Sequence, residues 1–113
     1  MTPSLSRLAC RGLLAGALAF GALSGGTQPA MAQVDLARAN GCLVCHSVER
    51  KVIGPALRDV AQRYRSQADA PDRLTAIVLK GGVGQWGTQP MPPNGGVSPA
   101  DARALVGWIL ALP

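Results

Sequence analysis

Cys42-Leu43-Val44-Cys45-His46 is the stretch on which the reading of this chain turns. Two thiols three positions apart project from one side of a short turn. Both can add to the two vinyl groups along one edge of a haem, and the histidine that follows then falls beneath the iron. The expected chemistry is covalent attachment of one haem c through Cys42 and Cys45, with His46 as an axial iron ligand. The same spacing also occurs in dithiol redox pairs and in half of a zinc site. A closed zinc site wants four Cys or His ligands, and beyond these three the chain offers only Cys10, in a segment expected to be removed. A thioredoxin-like pair needs a preceding strand and a surrounding sheet, whereas the flanks here have helical periodicity. Zinc and dithiol chemistry are the weaker readings.

The first 32 residues read as a secretory signal. Arg7 and Arg11 form a positive region, Gly12 to Ser24 an apolar run, and Ala30-Met31-Ala32 places small residues at the −3 and −1 positions of a cleavage after Ala32. The apolar run falls short of the roughly 20 residues of a comfortable membrane span, so no stable membrane insertion is expected after cleavage; a retained N-terminal anchor is the alternative. Cys10 precedes the apolar run, which argues against a lipidated cysteine. The expected organisation is a signal peptide over 1–32 and one domain over 33–113, located in the periplasm.

From Gln33 onward, nine Arg and Lys face six Asp and Glu, a net charge of +3 against +5 for the whole chain. Two ionised haem propionates would bring the loaded protein close to neutral. A nucleic-acid partner has little support, because the basic residues are scattered and only Tyr64, Trp86 and Trp108 remain as aromatics. A domain this small buries a modest core unaided and commonly relies on a cofactor or cross-links.

The mature chain reads as short helices joined by Gly- and Pro-rich loops. Val34 to Asn40 predicts one or two helical turns ended by Gly41. Gly54-Pro55 predicts a turn, after which Leu57, Val60, Ala61 and Tyr64 mark one apolar helix face. Pro71 suits the first turn of a third helix, with Leu74, Ile77 and Val78 inward and Gly81-Gly82 closing it. In the last helix Ser98 is the N-cap, Pro99 the first residue, and Leu105, Trp108, Ile109 and Leu112 the buried stripe. Gly107 within it reads either as a point of close helix approach or as simple tolerance. Between the third and last helices, glycine and proline over 81–97 argue against regular structure.

That segment holds Met91, flanked by Pro90 and Pro92, and it is the only methionine after residue 32. Its thioether is a soft, neutral iron ligand that favours the ferrous state. With His46 the only histidine in the chain, a second histidine ligand is excluded and Met91 is the candidate for the other axial position.

Gly41-Cys42-Leu43-Val44-Cys45-His46, Val52-Ile53-Gly54-Pro55-Ala56, Gln85-Trp86-Gly87 and Pro90-Met91-Pro92-Pro93-Asn94, in this order, resemble the small single-haem class I cytochromes c of bacterial periplasms. The resemblance spans about Val34 to Leu112. It implies an all-α cytochrome c fold, about four short helices wrapped around one covalently bound haem c, whose first and last helices cross near Gly41 and Trp108. It also implies that the Pro55 carbonyl accepts a hydrogen bond from the His46 nitrogen far from iron. By the same resemblance, Trp86 donates to a buried haem propionate and Asn94 steadies the Met91 sulfur. Two departures stand out: Ala37 where relatives often carry an aromatic, and Ile77 where some carry an arginine against a propionate.

A closed His/Met site has no open position for substrate. The expectation is therefore an electron transfer protein, not an enzyme. It would be monomeric and shuttle single electrons between a respiratory donor and a terminal oxidase or reductase. Redox protein partners would meet it at the exposed haem edge, where Val44, Val52, Ile53, Pro92 and Pro93 are candidates for an apolar patch and Arg50, Lys51 and Lys80 surround it. The alternative is a dedicated cytochrome c subunit of a periplasmic dehydrogenase. A peroxidase or ligand sensor would need an open iron site.

Overall fold

A computed structural model describes residues 29–113. Arg7, Cys10, Arg11 and the apolar run of the expected signal lie outside the described residues. Five helices and one two-stranded sheet follow in order: α1 (Ala30–Ala39), α2 (Cys42–Cys45), α3 (Leu57–Tyr64), α4 (Ala70–Lys80), β1 (Gly82–Gly84), β2 (Gly87–Met91) and α5 (Pro99–Leu110). None of the helices among these residues is long and apolar enough to cross a membrane.

Each helix can be traced to its residues. α1 starts three residues before Gln33, so the expected cleavage point falls in its first turn. It ends at Asn40, and Gly41 then takes a left-handed φ of 72°, a conformation that costs glycine nothing. Nothing described lies within 4 Å of a Cβ built at Gly41, so backbone conformation, not helix crossing, is what asks for glycine there. In α3 the four residues of the predicted apolar face, Leu57, Val60, Ala61 and Tyr64, are all buried. α5 opens as predicted, with the Ser98 hydroxyl accepting from the Asp101 amide at 3.0 Å and Pro99 in the first turn.

The buried residues form two small clusters. One joins Ala37 of α1, Val97, and Ala102 and Leu105 of α5, with Trp108 packed against it. The other joins Val60 and Tyr64 of α3 to Ala70, with Leu74 and Ile109 packed alongside. Ala37, at 1 % exposure, and Ala102, at 0 %, lie in the first of these clusters, so the small residue at position 37 sits within the packing of α1 on α5.

The expectation of irregular structure over 81–97 is corrected by the β1–β2 hairpin. Gly84 pairs with Gly87 and Gly82 with Met91. The chain reverses through Gln85 and Trp86, between glycines whose φ values are 92° and 97°, a region other residues rarely enter. Pro90 removes one donor, and a bulge interrupts the register between Gly82 and Gly84. The helix count exceeds four because the Cys42–Cys45 turn is itself one helical turn, α2.

Gly107 lies exposed on α5, and among the described residues nothing is within 4 Å of a Cβ built there. Tolerance, not close approach, accounts for it. Gly107→Ala should therefore stabilise the protein by about 1 kcal/mol, a rise in melting temperature of roughly 4–8 °C for a domain of this size. A fall in thermal unfolding temperature would contradict this placement.

Candidate functional site

One cavity of about 500 Å³ opens between the two clusters, within the size range of cofactor pockets. Cys42, Cys45, His46, Pro55, Trp86 and Met91 all line it, as do Ile77 and Trp108. Residues 45 positions apart, His46 and Met91, thus share one predominantly apolar chamber.

The Cys42–Cys45 turn is set by Gly41. Its carbonyl accepts from the Val44 amide at 3.2 Å, and the Cys42 carbonyl accepts from the His46 amide at 3.0 Å. This single turn brings both thiols to one wall, each half-buried and neither in a disulfide. Burial pushes the Cys42 thiol above its ordinary pKa, partly offset by a backbone hydrogen bond. His46 then leaves the helix in extended conformation, turning its ring towards the loop that follows.

That loop folds back under the imidazole. The Gly54 amide donates to the Cys45 carbonyl at 2.8 Å, and the Leu57 amide to the Ser47 carbonyl at 2.9 Å. The His46 Nδ1 lies 2.8 Å from the Pro55 carbonyl oxygen, which can only accept, so Nδ1 is the donor and, in the neutral tautomer this selects, the lone pair is on Nε2. A Cβ built at Gly54 would lie 2.5 Å from His46 Cε1 and 2.9 Å from Nδ1. The ring rests directly on the Gly54 backbone. This role went unread in the sequence, where Gly54-Pro55 signalled only a turn; a glycine beside the acceptor of the histidine's hydrogen bond was the available sign.

Opposite stands the Met91 segment, drawn in by Gly81. At φ 79° Gly81 ends α4, and a Cβ there would come within 2.8 Å of the Met91 carbonyl oxygen. Asn94, three residues after Met91, braces this loop through its own hydrogen bonds. Its Nδ2 donates to the Asn40 carbonyl at 2.8 Å, its Oδ1 accepts from the Gly96 amide at 3.2 Å, and its backbone amide donates to Val78 at 2.9 Å. Asn94 thereby satisfies carbonyls at the ends of both α1 and α4 and ties the Met91 loop to the turn leading into Cys42. Asn94→Ala should cost about 1–2 kcal/mol by leaving the Asn40 carbonyl without its amide partner. An unchanged denaturant midpoint would count against this brace.

Trp86 sits at the rim, 37 % exposed, so it is no core residue. Its ring meets Tyr64 edge to face at a centroid distance of 6.2 Å, and the Arg63 guanidinium lies 4.7 Å over it while donating to the Gln85 carbonyl at 2.6 Å. Val44, Val52 and Ile53 are exposed, and Pro92, Pro93, Arg50, Lys51 and Lys80 are exposed as well. Lys51, Ile53 and Pro92 line the mouth of the cavity.

The cytochrome c family profile matches residues 34–113. The chain belongs to the cytochrome c family. Cytochrome c-551 of Allochromatium vinosum is 58 % identical over 83 residues, covering 74 % of this chain and 88 % of that protein. Cytochrome c-552 of Nitrosomonas europaea is 52 % identical over 83 residues, covering 74 % and 81 %. The crystal structure of wild-type Nitrosomonas europaea cytochrome c552 superposes with a TM-score of 0.69 at 51 % identity, covering 71 % of this chain and 99 % of that one. This cytochrome c is therefore a small bacterial class I member and an electron transfer protein. The family carries one covalent haem c through a Cys pair, here Cys42 and Cys45. The residues present fit that group: an apolar chamber, two thiols on one wall, and a histidine whose Nδ1 is engaged by Pro55, leaving Nε2 to face a metal.

Proposed function

We propose that this cytochrome c is a periplasmic single-electron carrier whose iron is held axially by His46 and Met91. The observation that carries the proposal is the hydrogen bond from His46 Nδ1 to the Pro55 carbonyl in a cavity that Met91 also lines. That bond fixes the imidazole tautomer and makes Nε2 a better donor to a metal. Haem c supplies, when bound, a one-electron ferric/ferrous couple.

The chain's own residues set how that couple is used. His46 and Met91 would together hold the iron, and with both as ligands no position would be left on it for a substrate. The apolar walls formed by residues such as Ile77 and Trp108 exclude water, which disfavours the additional positive charge of the ferric state, and the Met91 thioether acts in the same direction. A positive reduction potential follows. Trp86, at the rim, donates its indole N–H to a propionate. Asn94 restrains the Met91 loop through Asn40.

Redox partners meet the rim, where Val44, Val52 and Ile53 form a small apolar patch beside Arg50 and Lys51. A patch this size supports short-lived encounters, and the flanking cations steer an acidic partner. The chain reaches the periplasm by cleavage after Ala32 and works there as a monomer between a respiratory donor and a terminal oxidase or reductase. The test is an optical spectrum of the purified protein in both oxidation states. A sulfur-to-iron charge-transfer band near the red edge of the oxidised spectrum is expected. Its absence, or a strongly negative potential, would rule out Met91.

A further inference from the structure

We propose that Gln33, as the first residue of the mature chain, closes into a pyroglutamate. The inference rests on cleavage after Ala32. In the step itself, the α-nitrogen of Gln33 forms a bond to its own side-chain Cδ and the Cδ–Nε2 bond breaks. Ammonia leaves, carrying a proton from the amine. No oxidant, reductant or further reactant enters, and only a chain that begins with glutamine presents both the amine and the amide leaving group in a five-membered arrangement.

The structure gives this closure a physical purpose. In the uncleaved chain Gln33 is 5 % exposed, and one turn further along α1 Ala37 is 1 % exposed in the core. The two share a helix face, and the burial of Ala37 holds that face of α1 against the protein body only one turn from the new terminus. An open terminus would put an ammonium at the start of a helix, where the helix dipole is positive and cations are unfavourable, next to a region that excludes water. The sole carboxylate in the first turn of the shortened helix, Asp35, is already bonded to Arg38 at 2.6 Å. Ring closure replaces the ammonium with a neutral lactam. It also restrains φ of residue 33 much as a proline does, at the end of a helix where proline is favoured.

The experiment is mass spectrometry of the haem-loaded protein from periplasmic extract, with free amines labelled in the native state before digestion, so that closure during handling is not counted. The expected N-terminal peptide begins at Gln33, weighs one ammonia less than its sequence, carries no label at its terminus, and loses one residue to pyroglutamyl aminopeptidase after denaturation. Isoelectric focusing should place the wild type one positive charge below Gln33→Ala, which keeps its amine. A labelled Gln33 terminus would overturn ring closure while leaving cleavage after Ala32 intact. A peptide beginning elsewhere would overturn both.

Discussion

Gly54→Ala is expected to push the His46 imidazole off its seat. Position 54 has no left-handed backbone, so the penalty is steric alone, and it is large because the added carbon would stand 2.5 Å from Cε1 and within 3.0 Å of both ring nitrogens. Neither side yields easily. The imidazole is bonded to Pro55 through Nδ1, and the Gly54 amide is bonded to the Cys45 carbonyl, so relief on one side breaks a hydrogen bond and relief on the other moves the attachment turn. Overpacking of this kind costs about 1–3 kcal/mol, and the lost Pro55 bond adds about 1 kcal/mol. The denaturant midpoint should fall accordingly, and the reduction potential should shift as the ring tilts. Gly95→Ala is the control: nothing described lies within 4 Å of a Cβ there, and its φ is ordinary. If the two variants unfold at the same denaturant concentration with the same spectrum, the seat at Gly54 is misread.

Met91→Ala should change the chemistry more than the stability. Met91 is half-buried at the end of β2, and its backbone is held by Gly81 and by pairing with Gly82 whatever side chain it carries. If Met91 is the second ligand, as proposed, removing the thioether would leave the iron one protein ligand short. The potential should then drop by a sizeable share of the roughly 0.8 V that axial ligands command, and carbon monoxide should bind the reduced variant rapidly where the wild type resists it. Met91→His separates ligation from packing. It should keep carbon monoxide out by closing the site again, yet hold the potential low because a second nitrogen favours the ferric state. Rapid carbon monoxide binding by the wild type would defeat the assignment outright.

What could be read from the sequence is what depends on neighbours along the chain. The apolar positions of α3, the Ser98 cap of α5, the Gly41 stop and the attachment turn all arise from contacts within four residues, and each follows from spacing. The hairpin was hidden because Gly84 and Gly87 resemble loop residues until the chain is seen to reverse between them; the short Gln85-Trp86 connection was the cue. Gly54 and Asn94 were hidden for another reason. A small residue shows that something comes close but not what, and the ring that presses on Gly54 comes from eight positions earlier. Asn94 reaches a carbonyl 54 residues away, a partner no local pattern indicates. At the site, Cys42, Cys45, His46 and Met91 stood out in the sequence by their chemistry. Their convergence on one chamber required the fold.

The division of the buried residues into two small groups, one around Leu105 and one around Tyr64, bears on how such a chain is made. Both groups contribute to the wall of the same chamber, so neither completes its packing against the other through side chains alone. A polypeptide with this arrangement gains most of its cohesion only when the chamber is filled. A chain whose centre is supplied afterwards has no strong tendency to set before that centre arrives. The place where the prosthetic group is attached is then also the place where the protein becomes solid.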